Sequence, residues 1–128
     1  MQHEQEFIAA FVVPEKRERY FELLLKPKQR FKITDRFNHF FDFIPQLARQ
    51  VPRDSDLLKQ LRSLGAREFV HIIGGPAKFD GADMPLEKAI LEAMNDPWGV
   101  VISCVPGQLA LFLQEFPPGD AFILQKNQ

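Results

Sequence analysis

The spacing of apolar residues changes near the middle of the chain. Up to Leu64 they recur every three or four positions, and from Phe69 onward they come in short runs rich in β-branched and aromatic residues. A helix shows one face every 3.6 residues and a strand every two. A chain that switches period therefore builds helices from one half and a sheet from the other, which is an α+β pattern. It bounds the architecture and leaves the chemistry open.

In the first half, Phe7, Ile8, Phe11 and Val12 predict a short helix. Pro14 ends it and suits the first turn of a second helix over 15–26, with Tyr20, Leu23 and Leu24 inward and Arg17 and Arg19 outward. Lys26-Pro27 marks the next boundary. Phe31, Phe37, Phe40, Phe41 and Ile44 fit a third helix that starts at Pro27, or at a Thr34 cap, and closes at Pro45. Residues 45–55 read as a loop with one turn of helix over 46–49. A fourth helix runs from Ser55 or Asp56 to Leu64, capped by Asp54 or Ser55, and Gly65 suits the left-handed position after it.

In the second half, Phe69 to Ile73 reads as a strand closed by Gly74-Gly75. A loop to Asp83 leads to an amphipathic helix with Pro85 in its first turn, Asp83 near its cap and a stripe of Leu86, Ala89, Ile90, Ala93 and Met94. Val100 to Val105 is apolar on both faces, as an interior strand should be. Pro106-Gly107 suits a type II turn into a strand over 108–115, and Pro117-Pro118-Gly119-Asp120 turns again into 121–125. A strand–helix–strand unit favours a right-handed crossover and a parallel pair, with the last three strands antiparallel.

The expected fold is thus a single α+β domain over 1–128, helical at 1–65 and sheet-forming at 66–128. Its N-terminal helices pack on a small mixed sheet of about four strands in β-α-β-β-β order. The one crossover helix covers one face, and the N-terminal helices cover the other face or an edge.

The formal net charge is -1, so no whole-molecule field draws the protein to nucleic acid or anionic lipid. The charge is nonetheless polarised: residues 1–68 hold 13 Lys/Arg against 10 Asp/Glu, and residues 69–128 hold 3 against 7. The single cysteine, Cys104, allows no internal disulfide and points to a reducing cytoplasm. The apolar run Phe7 to Val13 follows acidic Glu4 and Glu6 and is too short for a membrane span, so neither a signal peptide nor membrane insertion is expected.

Three groups of residues deserve comparison as sites. His71 and Cys104 would lie on adjacent strands, where an imidazole could activate a thiol, but both sit in apolar runs that favour a buried structural role. The loop residues Gly74, Gly75, Lys78, Asp80 and Asp83 stand where α/β proteins commonly bind ligands. Asp80 and Asp83 would repel a phosphate there, and a solvated connection with Asp83 as a cap is the plainer alternative. Lys26, Lys28, Arg30 and Lys32, with Phe31 among them, could touch phosphates and stack a base, although mixed charges usually form a solvated helix face.

His3, His39 and His71 show no metal-ligand spacing, and neither a metal nor a cofactor is expected. Phe37, Phe40, Phe41 and Phe43 are too many for one helix to bury against one neighbour, which suggests aromatic surface left for a partner or a second copy of the chain. The function expected is a non-enzymatic protein-interaction or regulatory module that binds a protein partner or forms a homodimer. A nucleic-acid binder using 16–36 and a small enzyme working near the 74–83 loop are the alternatives.

Overall fold

The computed structural model describes residues 2–117 and 119–126. Five helices are present among them: α1 (Gln2–Phe11), α2 (Pro14–Leu24), α3 (Phe31–His39), α4 (Leu57–Ser63) and α5 (Leu86–Met94). Six strands, β1 (Ala48–Val51), β2 (Phe69–Gly74), β3 (Asp83–Pro85), β4 (Val100–Val105), β5 (Leu109–Leu113) and β6 (Ala121–Gln125), form one sheet in the order β1-β6-β5-β4-β2-β3. The α+β class is as expected, with helices early and strands late.

Each interior strand is apolar on both sides because both faces of the sheet are covered. Val70 and Ile72 of β2, Val100, Ile102 and Cys104 of β4, and Leu109, Leu111 and Leu113 of β5 pack with Leu57 and Leu61 of α4 and with Leu86 and Ala89 of α5. Ile73, Val101, Ala110, Phe112 and Leu124 face the other way, into an aromatic cluster with Phe7, Phe11, Tyr20, Phe37 and Phe43. Helices α1 to α3 thus cover one face, opposite α5 as expected. The fourth helix lies beside α5 instead of with the other N-terminal helices.

The sheet corrects two expectations. It has six strands rather than about four, and all its pairs are antiparallel rather than mixed. The segment after β2 folds straight back as β3, pairing Phe69 with Pro85, and the Leu86 N–H donates to the Glu68 carbonyl at 2.8 Å. Helix α5 therefore starts at the end of the sheet where β2 starts. β4 then enters opposite Gly74 and runs against β2. One added reversal turns the expected parallel pair antiparallel.

The other unforeseen strand, β1, falls inside the expected 45–55 loop. It follows a turn of 3-10 helix at Pro45–Leu47 and pairs with β6 at the sheet edge. Its exposed Arg49 and Gln50 are typical of an edge strand and hide it from a pattern search.

Local chemistry explains the remaining boundaries. The third helix stops at His39 rather than at Pro45, and Phe43 forms a bridge with Val12. Residues 42 and 44 hydrogen-bond to the backbone of Val13 and Phe11. Pro45 disfavours a helical Ile44, and the extended path buries Phe37 and Phe43, leaves Phe40 exposed and packs Phe41 against Phe43, Phe112 and Phe122 with part of its ring in solvent. Asp56, rather than Asp54 or Ser55, caps α4 by accepting from the Lys59 N–H at 3.0 Å. Gly65 takes φ 99° after α4, where the Ala66 N–H returns to the Leu61 carbonyl in a Schellman closure. Gly107 takes φ 69° and the Gln108 N–H bonds the Val105 carbonyl, as a type II turn requires. Of the expected turn over 117–120, Pro118 lies outside the described residues.

Candidate functional site: a buried ionic chain beside an aromatic groove

Arg30 follows the short 3-10 turn at Pro27–Gln29 and opens α3. Its guanidinium grips two carboxylates at once. Nη1 and Nη2 donate to the Oε1 and Oε2 of Glu4 at 2.8 and 2.9 Å. Nε and Nη2 donate to the Oδ2 and Oδ1 of Asp80 at 3.0 and 2.7 Å. Planar two-pronged recognition of this kind is what arginine offers and lysine does not. Asp80 also accepts the Gly74 N–H at 2.9 Å, which fastens the loop to the end of β2.

The chain of charges continues inward. Glu4 Oε2 lies 2.6 Å from His71 Nε2, and Asp83 Oδ1 lies 2.6 Å from His71 Nδ1. A neutral imidazole has one N–H, so two carboxylate contacts of this length call for protons on both nitrogens. Burial alone would push the His71 pKa down, but the hydrogen bonds the ring donates to Glu4 and Asp83 prevail and raise it above 6.5. Burial likewise opposes the charge on Glu4, yet its bonds from His71 and Arg30 hold its carboxyl at about 2. His3 stacks on His71 with ring centroids 5.4 Å apart, and its Nδ1 lies 2.7 Å from Ser103 Oγ. Burial and the nearby His71 charge lower the His3 pKa.

The structure therefore brings together His71, Asp80, Asp83 and Arg30 from three groups considered separately in the sequence, and adds Glu4, His3 and Ser103. Glu4 was missed although a signal existed. It occupies the stripe of Phe7, Ile8 and Phe11 on α1, and a carboxylate in an apolar stripe flags a buried ion pair. His71 and Cys104 are not brought together. His71 pairs with Ser103 across the strands, so Cys104 points to the opposite face, among the aliphatic core. Burial there pushes its thiol up to about 12.

Asp83 is not a helix cap. It lies in β3, and Pro85 holds the N-cap position of α5. Gly74 and Gly75 both have positive φ and turn the chain over Phe37 and Val100. Lys78 lies over the ring of Phe79. Among the described residues no group of acidic, His or Cys side chains is arranged to hold a metal ion, and no buried side-chain polar atom lacks a hydrogen-bond partner.

Next to the ionic chain runs an open groove of about 480 Å³. Pro27, Lys28, Phe31, Thr34, Asp35 and Asn38 form one wall; Gly75, Pro76, Ala77 and Trp98 form the other, with Arg30 and Asp80 in its lining. Residues 31, 34, 35 and 38 follow the spacing of a single helix face, which makes α3 the wall. Thr34 donates to the Gly75 carbonyl at 3.3 Å, and Asn38 Oδ1 accepts the Gly99 N–H at 2.5 Å, so both walls are fixed to each other. Phe31 is 61% exposed and Trp98 47% exposed, so two large apolar side chains stand at one concavity. Lys26, Lys28 and Lys32 form no ion pair among the described residues. Arg30, by contrast, is committed to its two carboxylates.

No family model, curated protein or solved structure matches the chain. Among the described residues, no helix is long and apolar enough to cross a membrane.

Proposed function

We propose that the protein is a non-enzymatic interaction module of the cytoplasm, and that it recognises a protein partner through the groove between α3 and residues 75–77. The supporting observation is the exposure of Phe31 and Trp98 on a concave, mostly apolar surface held rigid from both sides. Aromatic anchors in a preformed groove are the usual energetic centre of a protein interface. The acid–base groups beside it, Glu4 and His71, are buried and bonded to one another, an arrangement suited to holding the groove wall in place. The partner segment fitted by such a groove carries an apolar or aromatic side chain.

Trp98 is the sole tryptophan, so its emission reports occupation of the groove directly. Affinity capture from the native source should retain a partner with the wild-type chain and with Leu91→Ser, an exposed change on α5. The same partner should be lost with Phe31→Ser and with Trp98→Ser. A partner held equally by all four proteins would sink the proposal. Light scattering after size exclusion shows whether that partner is a second copy of the chain.

Nucleic-acid binding is the second reading, favoured by Lys28 standing in the groove beside Phe31, a cation next to a stacking surface. Its test is salt-dependent binding of a random oligonucleotide at low ionic strength, weakened by reversing Lys26, Lys28 and Lys32 together. Arg30 is left out of that set because removing it strands two carboxylates. An enzyme using Cys104 predicts thiol labelling in the native state; labelling only after unfolding removes that alternative.

A further inference from the structure

The backbone on both sides of the groove is already paired. On the 75–77 wall the Gly75 N–H donates to the Gly99 carbonyl at 3.0 Å, and the Gly75 carbonyl accepts from Thr34. Pro76 has no N–H, and its carbonyl takes the N–H groups of Phe79 and Asp80 at 3.0 and 3.1 Å. The opposite wall is α3, a helix whose backbone bonds within itself. A partner's strand cannot be added to either wall, because that pairing needs free N–H and free C=O groups together.

Side chains supply the polar groups that remain. The Trp98 indole N–H has no hydrogen-bond partner among the described residues. Asn38 uses only its Oδ1, toward the Gly99 N–H, which leaves its amide hydrogens for an occupant. Lys28 and Asp35 form no ion pair among the described residues. The occupant that fits this set offers carbonyls, brings few N–H groups and has flat apolar faces for Phe31 and Trp98. A helix keeps its carbonyls in its own bonds. A polyproline II segment matches on every count: it has no internal hydrogen bonds, its prolines carry no N–H, and its rings pack on aromatic walls.

We propose that the groove binds a proline-rich segment of a partner protein in the polyproline II conformation. Phe31 and Trp98 pack on its prolines, and Trp98 and Asn38 donate to its carbonyls. This rests on the groove being the interaction surface. Lys28 and Asp35 then set the register. They lie along the α3 wall roughly 11 Å apart at helical rise. The segment advances about 3.1 Å per residue, so an acidic residue for Lys28 and a basic one for Asp35 stand about three or four positions apart. Arg30 and Asp80 are bonded to each other and leave that choice to the free pair.

The test is selection of displayed random twelve-residue peptides on the folded full chain, followed by calorimetric titration of those enriched. They should share prolines with an acidic and a basic residue at that spacing. Replacing the prolines by alanine should weaken binding by about tenfold, since the segment is no longer preorganised. Phe31→Ser and Trp98→Ser, exposed changes that leave the far-UV ellipticity alone, should abolish it. Asp35→Asn should weaken it by about two- to fivefold, and should have no effect on a peptide whose basic residue is glutamine. Groove-dependent peptides without proline would overturn the proposal and leave the groove an interface. Peptides held equally by the Phe31→Ser and Trp98→Ser chains, or no peptides at all, would overturn the interface reading with it. Oligothymidylate bound in the groove more tightly than any selected peptide would overturn it in favour of nucleic acid.

Discussion

Tyr20 donates its phenolic hydrogen to Asp42 Oδ2 at 2.8 Å inside the aromatic cluster, across the 22 residues that separate α2 from the extended segment after α3. Burial and the neighbouring carboxylate push the tyrosine pKa well above its ordinary value. Arg36 reaches the same Oδ2 through Nε at 3.1 Å and Nη2 at 2.9 Å and lies over the Tyr20 ring, 5.3 Å from its centroid. One carboxylate thus satisfies two donors on two helices.

Removing the members of this trio should cost different amounts. Tyr20→Phe leaves Asp42 paired with Arg36 and should lower stability by about 1.5–3 kcal/mol, the worth of one hydrogen bond to a charged group. Asp42→Ala leaves both the hydroxyl and the guanidinium without their acceptor and should cost about 3–5 kcal/mol. Urea unfolding of the two variants, with unchanged slopes, checks the order. Equal losses would mean that Asp42 does not organise the pair.

Arg30→Met should be among the most destabilising single changes in the chain. Its side chain is 19% exposed and neutralises Glu4 and Asp80 together. Leaving those two without their cation should cost about 3–5 kcal/mol. Arg30→Lys should recover only part of this, because an ammonium cannot serve two carboxylates through paired donors. Thermal unfolding of the three proteins side by side decides it, and full recovery by lysine would contradict the two-fork geometry.

Glu4 gives stability an acid limb. Its folded pKa of about 2 lies below the ordinary 4.5, so its contribution is complete above the unfolded value and is lost as pH falls through the folded one. The size is about 3 kcal/mol, from the difference between those two values. Urea midpoints measured between pH 6 and pH 2 should fall in the wild type and fall less in Glu4→Gln. The His71 contribution has the opposite sign, complete below the ordinary 6.5 and lost as pH rises through the raised folded value, so the two limbs meet in a plateau between 4.5 and 6.5.

Gly74 and Gly65 both adopt positive φ, 87° and 99°, but only Gly74 is crowded. A Cβ on Gly74 would lie 2.8 Å from Phe37 Cδ2 and 3.2 Å from the Gly99 carbonyl, whereas one on Gly65 meets nothing within 4 Å. Gly65→Ala should cost about 1–2 kcal/mol of backbone strain. Gly74→Ala should cost about 1–3 kcal/mol more, because Phe37 must move inside a packed core. If denaturant titration finds the two equal, the close approach of β2 to α3 is wrong.

The α+β class, the helices α1, α2, α4 and α5, and the strands β2, β4, β5 and β6 are all legible in the residue order. Each is a single local period long enough to declare itself, such as Leu57 with Leu61, or the unbroken apolar run of β4. The site was legible only in fragments. Asp80, Asp83, His71 and Arg30 each stood out, and Glu4 broke its own stripe, but nothing local says that residues 4 and 71 touch.

What the chain's order determined by itself was period and punctuation: where backbone prefers to coil, to extend or to turn, since those preferences are set by near neighbours and by Pro and Gly. Only the tertiary structure decided strand direction, the layer in which α4 lies and the partners of each buried charge. β3 has three residues and β1 shows two polar side chains of four, too little local pattern to declare a strand, and they exist because a neighbouring strand offers free N–H and C=O groups. The same holds for the charges. Arg30 and Glu4 can be buried only because the fold brings each within hydrogen-bonding distance of the other, a gain that appears only once the helices have docked on the sheet.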